Sequence, residues 1–226
     1  MRSQRVTVYA GLVLAAVLLA GFGLIADEVI EGDTLAFDNA VLMWFRDPSA
    51  PAVPIGPSWL FEAARDITAL GSFTVLALLV VGVTLQLLLT GARRTALFLL
   101  VSVIGGTIIS TGLKALFDRP RPDLTGAVEV FTASFPSGHA TVSAVVYLTI
   151  GAILAQREHR NALRVFYVGF AILLTGLIGV SRVYLGVHYP TDVIAGWALG
   201  SAWALACLAA ALALGLGRTA NEAPSR

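Results

Sequence analysis

Six apolar runs, each about 20 residues long, constrain this chain more than any other feature. They cover residues 6–26, 71–90, 95–116, 138–155, 163–181 and 192–216. A helix of about 20 apolar residues matches the hydrocarbon thickness of a bilayer. Only 13% of the 226 residues are charged, and mean hydropathy is +0.83. Soluble domains carry roughly 25% charged residues, so an ordinary water-soluble core is excluded. Backbone in lipid must satisfy its own hydrogen bonds, so each run is expected to be a helix. The expected fold is all-α: a six-transmembrane-helix bundle forming one membrane-embedded domain over residues 1–226.

The first run opens after Met1-Arg2-Ser3-Gln4-Arg5. Its length and the poor cleavage signal before Asp27 make it a retained anchor rather than a signal peptide. Six spans place both termini on one side. Arg2, Arg5, Arg93, Arg94, Arg157, Arg160, Arg164, Arg218 and Arg226 all fall on that side, which the positive-inside rule makes cytoplasmic. His159 lies in a loop on the same side and reads as solvated. Asp27, Glu28, Glu31, Asp33 and Asp38 fall on the other side, in a long loop over 27–70. Pro48, Pro51, Pro54 and Pro57 are expected to break regular structure there, between two short interfacial helices. Phe37, Val41, Leu42 and Phe45 line one helical face, and Trp59, Ala63, Ile67 and Leu70 another, with Trp44 and Trp59 at headgroup level. The last ten residues read as a disordered tail.

Cys207 is the only cysteine, so neither an internal disulfide nor a cysteine-based zinc site is available. No basic run is dense enough for a nucleic-acid partner, and the expected partners are membrane lipids. Oligomeric state is left open. Gly105-Gly106, Gly176 with Gly179, and Gly196 with Gly200 lie inside spans and are expected to permit close helix packing.

Charged side chains near or inside spans are costly and are usually retained for function. Lys114, Arg121, Arg182, His188 and Asp192 all fall at outer span ends, and Lys114, Arg119, Arg121 and Arg182 oppose the positive-inside trend. Three cations converging on one face form an anion site, and phosphate is the commonest anion that needs several such donors. Ser137 and Gly138 precede the fourth span, where free N–H groups and the positive helix end attract an anion, and His139 follows them with a ring that titrates near neutrality. Pro190 is placed to open the last helix, with Asp192 in its first turn. Asp192 is then able to hold one ring nitrogen of His188 and leave the other free to attack. Each stretch also has a blander account: snorkelling Lys and Arg in the first, capping sequences with incidental histidines in the other two. Arg119 and Asp123 flank the first stretch and read equally as headgroup contacts or as a pair.

Taken together, Lys114 with Arg121-Pro122, then Pro136-Ser137-Gly138-His139, then Ser181-Arg182 with His188 and Asp192, resemble the three-part signature of the type 2 phosphatidic acid phosphatases, or lipid phosphate phosphatases. Every signature position matches across residues 114–192, and three spaced motifs in order are highly specific. The resemblance implies a lipid phosphate substrate, a phosphohistidine formed on His188, orientation by Asp192, and proton transfer by His139. It implies phosphate binding by Lys114, Arg121, Ser137, Gly138 and Arg182, with no metal and no cofactor. It also implies an active site on the extracytoplasmic side. Undecaprenyl pyrophosphate is the favoured substrate, ahead of phosphatidylglycerol phosphate and phosphatidic acid. The alternatives are a vanadate-dependent haloperoxidase, whose anion-binding signature is similar but whose members are soluble, and a non-catalytic lipid-binding or transport protein. Clustering of the polar groups at the outer edge argues against a pore.

Overall fold

The computed structural model describes residues 2–124 and 133–214, with side chains from residue 5 onward. The expected C-terminal tail, with Arg218 and Arg226, lies outside the described residues. The chain runs α1 (Arg2–Glu31), α2 (Leu35–Met43), β1 (Arg46–Asp47), β2 (Ala50–Pro54), α3 (Ser58–Ala69), α4 (Phe73–Leu89), α5 (Arg93–Phe117), α6 (Gly138–Arg157), α7 (Asn161–Tyr184) and α8 (Pro190–Ala213). This is the all-α membrane bundle expected from the apolar runs.

Five of these helices are long and apolar enough to cross a bilayer. The expected span over 71–90 is α4, whose 17 residues rise only about 26 Å, short of the roughly 30 Å of hydrocarbon. It meets α3 at a bend of 48°, and the spans number up to six if the bent pair forms one. Ser72 caps α4, its hydroxyl accepting the Val75 N–H at 3.3 Å. The first span is longer than expected: α1 continues to Glu31, so Asp27, Glu28 and Glu31 lie on a helix rather than in a loop.

α6 sits at the centre, packed against α5, α7 and α8, whereas α1 rests at the periphery against α8. Accordingly 61% of the most apolar stretch of α6 is buried, against 6% of that of α1. α8 approaches α6 closely because Gly196 lacks a side chain. A Cβ there would lie 2.8 Å from the Ser137 carbonyl oxygen and 2.9 Å from the Ala140 methyl. Small residues at such a crossing let backbones meet where lipid supplies no hydrophobic drive to associate. Gly105, Gly106, Gly179 and Gly200 also face close neighbours, but Gly176 meets nothing within 4 Å.

The outer loop departs from expectation in two respects. Its prolines do not abolish regular structure: β1 and β2 pair antiparallel, and Pro51 and Pro54 lie on β2. A two-stranded ribbon has only edges, where proline's missing N–H is tolerated. The turn is tied by Asp47, which accepts from the Ser49 N–H at 2.8 Å and hydroxyl at 2.6 Å. Nor is α2 purely interfacial. Leu42 is buried with Ala140, Val183, Tyr189 and Val193, so α2 packs onto the start of α6, the end of α7 and the start of α8. Trp44 and Trp59 are 72% and 65% exposed, as headgroup-level anchors would be.

Candidate active site

The end of α5, the start of α6, the end of α7 and the start of α8 meet at one end of the bundle, and each motif supplies one part of that end. Lys114 lies in the last turn of α5, which stops at Asp118 in a left-handed conformation (φ 40°) before the Arg-Pro pairs. Ser137 is the N-cap of α6, with Gly138 and His139 in its first turn. Arg182 lies in the last turn of α7. Pro190 opens α8 and Asp192 follows in its first turn, as its sequence implied.

Backbone bonds stitch these parts together. The Ser137 N–H donates to the Asp192 carbonyl at 2.9 Å, and the Ser134 N–H to the Arg119 carbonyl at 2.8 Å. Lys114 Nζ donates to the Ala133 carbonyl at 2.7 Å. Its side chain passes so near Gly138 that a Cβ there would lie 3.2 Å from Lys114 Cε. The turn between α3 and α4 closes one wall. Thr68 Oγ1 accepts from Arg182 Nη1 at 3.2 Å, and a Cβ on Gly71 would come within 3.3 Å of the His139 ring. The charges of Arg182, Arg121 and Lys114 all act on His139. All eight residues singled out by sequence are therefore brought together.

His188 is 1% exposed, in the loop between α7 and α8. Arg121 Nη1 contacts its Nε2 at 3.1 Å and donates to the Val187 carbonyl at 2.7 Å. A guanidinium carries only donors, so Nε2 is the acceptor and the ring proton resides on Nδ1. Nδ1 faces Asp192 Oδ2 at 3.4 Å and Ser134 Oγ at 3.3 Å. The Asp192 contact is long for a hydrogen bond. Oδ2 is held more closely by the Ser134 hydroxyl and by the Tyr189 N–H at 2.9 Å. Burial pushes the His188 imidazole down to about 3, against the pull of Asp192 and with the help of Arg182 and Arg121. The ring is neutral at physiological pH, with a lone pair on Nε2.

Two polar atoms in this cluster are buried without a partner: Ser137 Oγ and Arg182 Nε. Leaving such an atom unbonded costs about 1–3 kcal/mol unless a group from outside the chain bonds it.

Three side chains that matter here were not recognised from sequence. Ser134, fully buried, bonds Asp192. Among the described residues, Arg119 does not pair with Asp123. It donates to Asp192 Oδ1 at 2.6 Å and to Asp38 Oδ2 at 2.7 Å, with Thr191 and Thr34 hydroxyls at 2.9 and 3.1 Å. Its guanidinium also lies 4.3 Å from the Tyr189 ring centre. Burial alone would lower the Arg119 pKa, but Asp192 and Asp38 raise it above the ordinary value. Asp38, buried on α2, also accepts from the Thr191 N–H at 3.0 Å and hydroxyl at 2.7 Å. The available signal was an acidic residue on the same α2 face as Leu42, one turn away.

Known proteins resemble this chain in sequence and in fold. Phosphatidylglycerophosphatase B of Bacillus subtilis (strain 168) is 35% identical over 169 residues, 72% of this chain and 80% of that protein. Undecaprenyl-diphosphatase BcrC of the same organism is 28% identical over 111 residues, 46% of this chain and 52% of that protein. The crystal structure of the transmembrane PAP2-type phosphatidylglycerolphosphate phosphatase from Bacillus subtilis superposes with a TM-score of 0.74 at 28% identity, covering 89% of this chain and 96% of that one. Residues 95–215 match the PAP2 superfamily, a stretch that contains all three motifs, and the chain therefore belongs to that superfamily and is a membrane phosphatase.

Proposed function

We propose that the chain removes a phosphate group from a membrane lipid through a phosphohistidine on His188. The observation that carries this reading is the line from Asp192 through His188 to Arg121: a buried, neutral imidazole whose Nε2 lone pair already points at a phosphate-binding arginine. Nε2 attacks phosphorus, and the bond from phosphorus to the lipid oxygen breaks as that oxygen takes a proton from His139. Water then attacks the phosphohistidine and gives a proton to His139, the N–P bond breaks, and inorganic phosphate leaves with the enzyme restored. Lys114, Arg121 and Arg182 neutralise the phosphoryl oxygens, joined by Ser137 Oγ and the Gly138 N–H at the start of α6. A phosphate oxygen would satisfy both Ser137 Oγ and Arg182 Nε. Asp192 holds the Nδ1–H tautomer and offsets the charge His188 gains on attack.

The site lies at the end of the bundle opposite the arginine-rich loops, so we place it on the extracytoplasmic side with both termini cytoplasmic. Its position at span ends suits a headgroup attached to a chain still in the bilayer. The candidates are phosphatidylglycerol phosphate, supported by the relative that matches over 80% of its own length, and undecaprenyl pyrophosphate, favoured by the sequence reading. Phosphatidic acid is the third.

The test is phosphate release in detergent with EDTA present from these three lipids, for wild type and His188→Ala. Turnover should survive EDTA and fall by about 10³-fold or more in the variant. A radiolabelled phosphate trapped on the wild-type protein should be labile to acid and stable to alkali. Absence of release from every lipid, or full activity in His188→Ala, overturns the mechanism, and the ranking of rates chooses the substrate.

A further inference from the structure

We infer that Asp38 and Arg119, both outside the three motif patterns, act together as positioning residues that keep Asp192 oriented and charged for His188. The inference rests on His188 being the nucleophile, and it assigns the first outer loop a part in the chemistry.

The argument starts from what a carboxylate must do here. Asp192 has to present one oxygen to His188 Nδ1 while keeping its negative charge against the positive charge the ring gains on attack. Rotation of the carboxylate would turn that oxygen away. Arg119 prevents rotation by bonding Oδ1 at 2.6 Å, which leaves Oδ2 for Ser134, the Tyr189 N–H and the ring. An arginine bound so closely would, however, cancel the charge that His188 needs. Asp38 removes this conflict. It bonds the other end of the same guanidinium at 2.7 Å, so the buried trio of Asp38, Arg119 and Asp192 keeps a net charge of minus one. Both carboxylates are fully buried and the Arg119 side chain is 6% exposed, so water screens this balance weakly.

The geometry also argues against a purely structural tie. An ion pair serving only to fasten α2 to the bundle needs one carboxylate. Asp38 instead reaches Thr191 twice, through N–H and hydroxyl, and so fixes the residue next to Asp192 as well as the arginine that binds it. Each contact converges on the first turn of α8. A displacement of about 1 Å in such a constellation commonly costs on the order of 10²-fold in rate.

The experiment compares wild type with Asp38→Asn, Arg119→Lys and the double variant in detergent. It measures kcat on the best lipid substrate and the inhibition constant of inorganic phosphate, which stays tetrahedral and reads the phosphate-binding cations without ligating His188. Each single variant should lower kcat about 10- to 100-fold with phosphate inhibition within about threefold of wild type. The double variant should be no slower than the slower single, because both act through Asp192. A kcat within about threefold of wild type overturns the inference. So does a phosphate affinity that falls in step with kcat, which would mean a collapsed site, or losses that multiply in the double variant. If Arg119→Lys does not fold, Asp38→Asn alone decides by the first two criteria, since it keeps one of the two oxygens that accept from Thr191. Absence of wild-type turnover, or a fully active His188→Ala, would instead strike the underlying reading.

Discussion

The end of the bundle proposed as outer and the opposite, inner half are held together by different physics. At the outer end Asp38, Arg119, Ser134, His188 and Asp192 are all buried, and each polar group is aimed at a named partner. In the inner half the core is Leu76, Val80, Leu87, Phe98, Leu99, Val146 and Ile153, side chains with shape but no direction. Buried polar atoms without a partner occur at both ends, on Ser137 and Arg182 at the first and on Thr84 and Thr149 at the second, so it is the bonded polar groups that differ. Directional contacts concentrate where chemistry must occur, and non-directional packing suffices where the chain need only stay assembled.

The sharpest way to break this contrast is to remove direction without removing volume. Asp192→Asn keeps the size of the side chain but loses the charge opposite His188. It should reduce kcat on the order of 10³-fold while the protein still purifies as a monodisperse species. Phosphate-release assays alongside size-exclusion profiles check this. A modest loss would mean that Asp192 is an ordinary helix cap.

The converse change removes volume without direction. Leu99→Ala opens a cavity in the inner core at a fully buried position. Lipid is as apolar as leucine, so the lost packing rather than a transfer term carries the cost, about 1–2 kcal/mol. The expected outcome is a lower thermal midpoint in detergent with specific activity within about twofold of wild type. A large loss of activity would show that the halves are coupled.

The smallest effect concerns pH. In the unfolded chain His188 takes a proton as pH falls through about its ordinary 6.5, whereas in the fold it does so only near 3, among Asp192, Arg121 and Arg182. The unfolded state binds more protons in that window, so this group's contribution to stability is lost as pH drops from about 6.5 towards 3. His188→Gln should flatten the decline in thermal midpoint between about pH 7 and pH 5. An unchanged slope would place the pH sensitivity elsewhere in the outer end.

Span number, the outer-end cation cluster and the three motifs were legible in sequence because each is a local property: a run of apolar residues, a misplaced charge, a fixed spacing. The eight candidate site residues converge because four consecutive helix ends must meet wherever the helices run antiparallel. What sequence reasoning misread was long-range. Sequence proximity offered Arg119 a headgroup contact or the nearby Asp123, but its carboxylate partners are Asp38, 81 positions away, and Asp192, 73 positions away. The proline-rich loop was read as irregular, since proline's effect depends on whether its neighbour needs an N–H.

By itself, then, the sequence determined that this chain spans a membrane as helices and gathers its three motifs at one end. Hydrocarbon solvent and fixed spacing leave little choice on either point. Only the tertiary structure decided which carboxylate compensates which cation. Pairing among buried charges is set by distances of a few ångströms between elements far apart in the chain, and no spacing pattern encodes those distances.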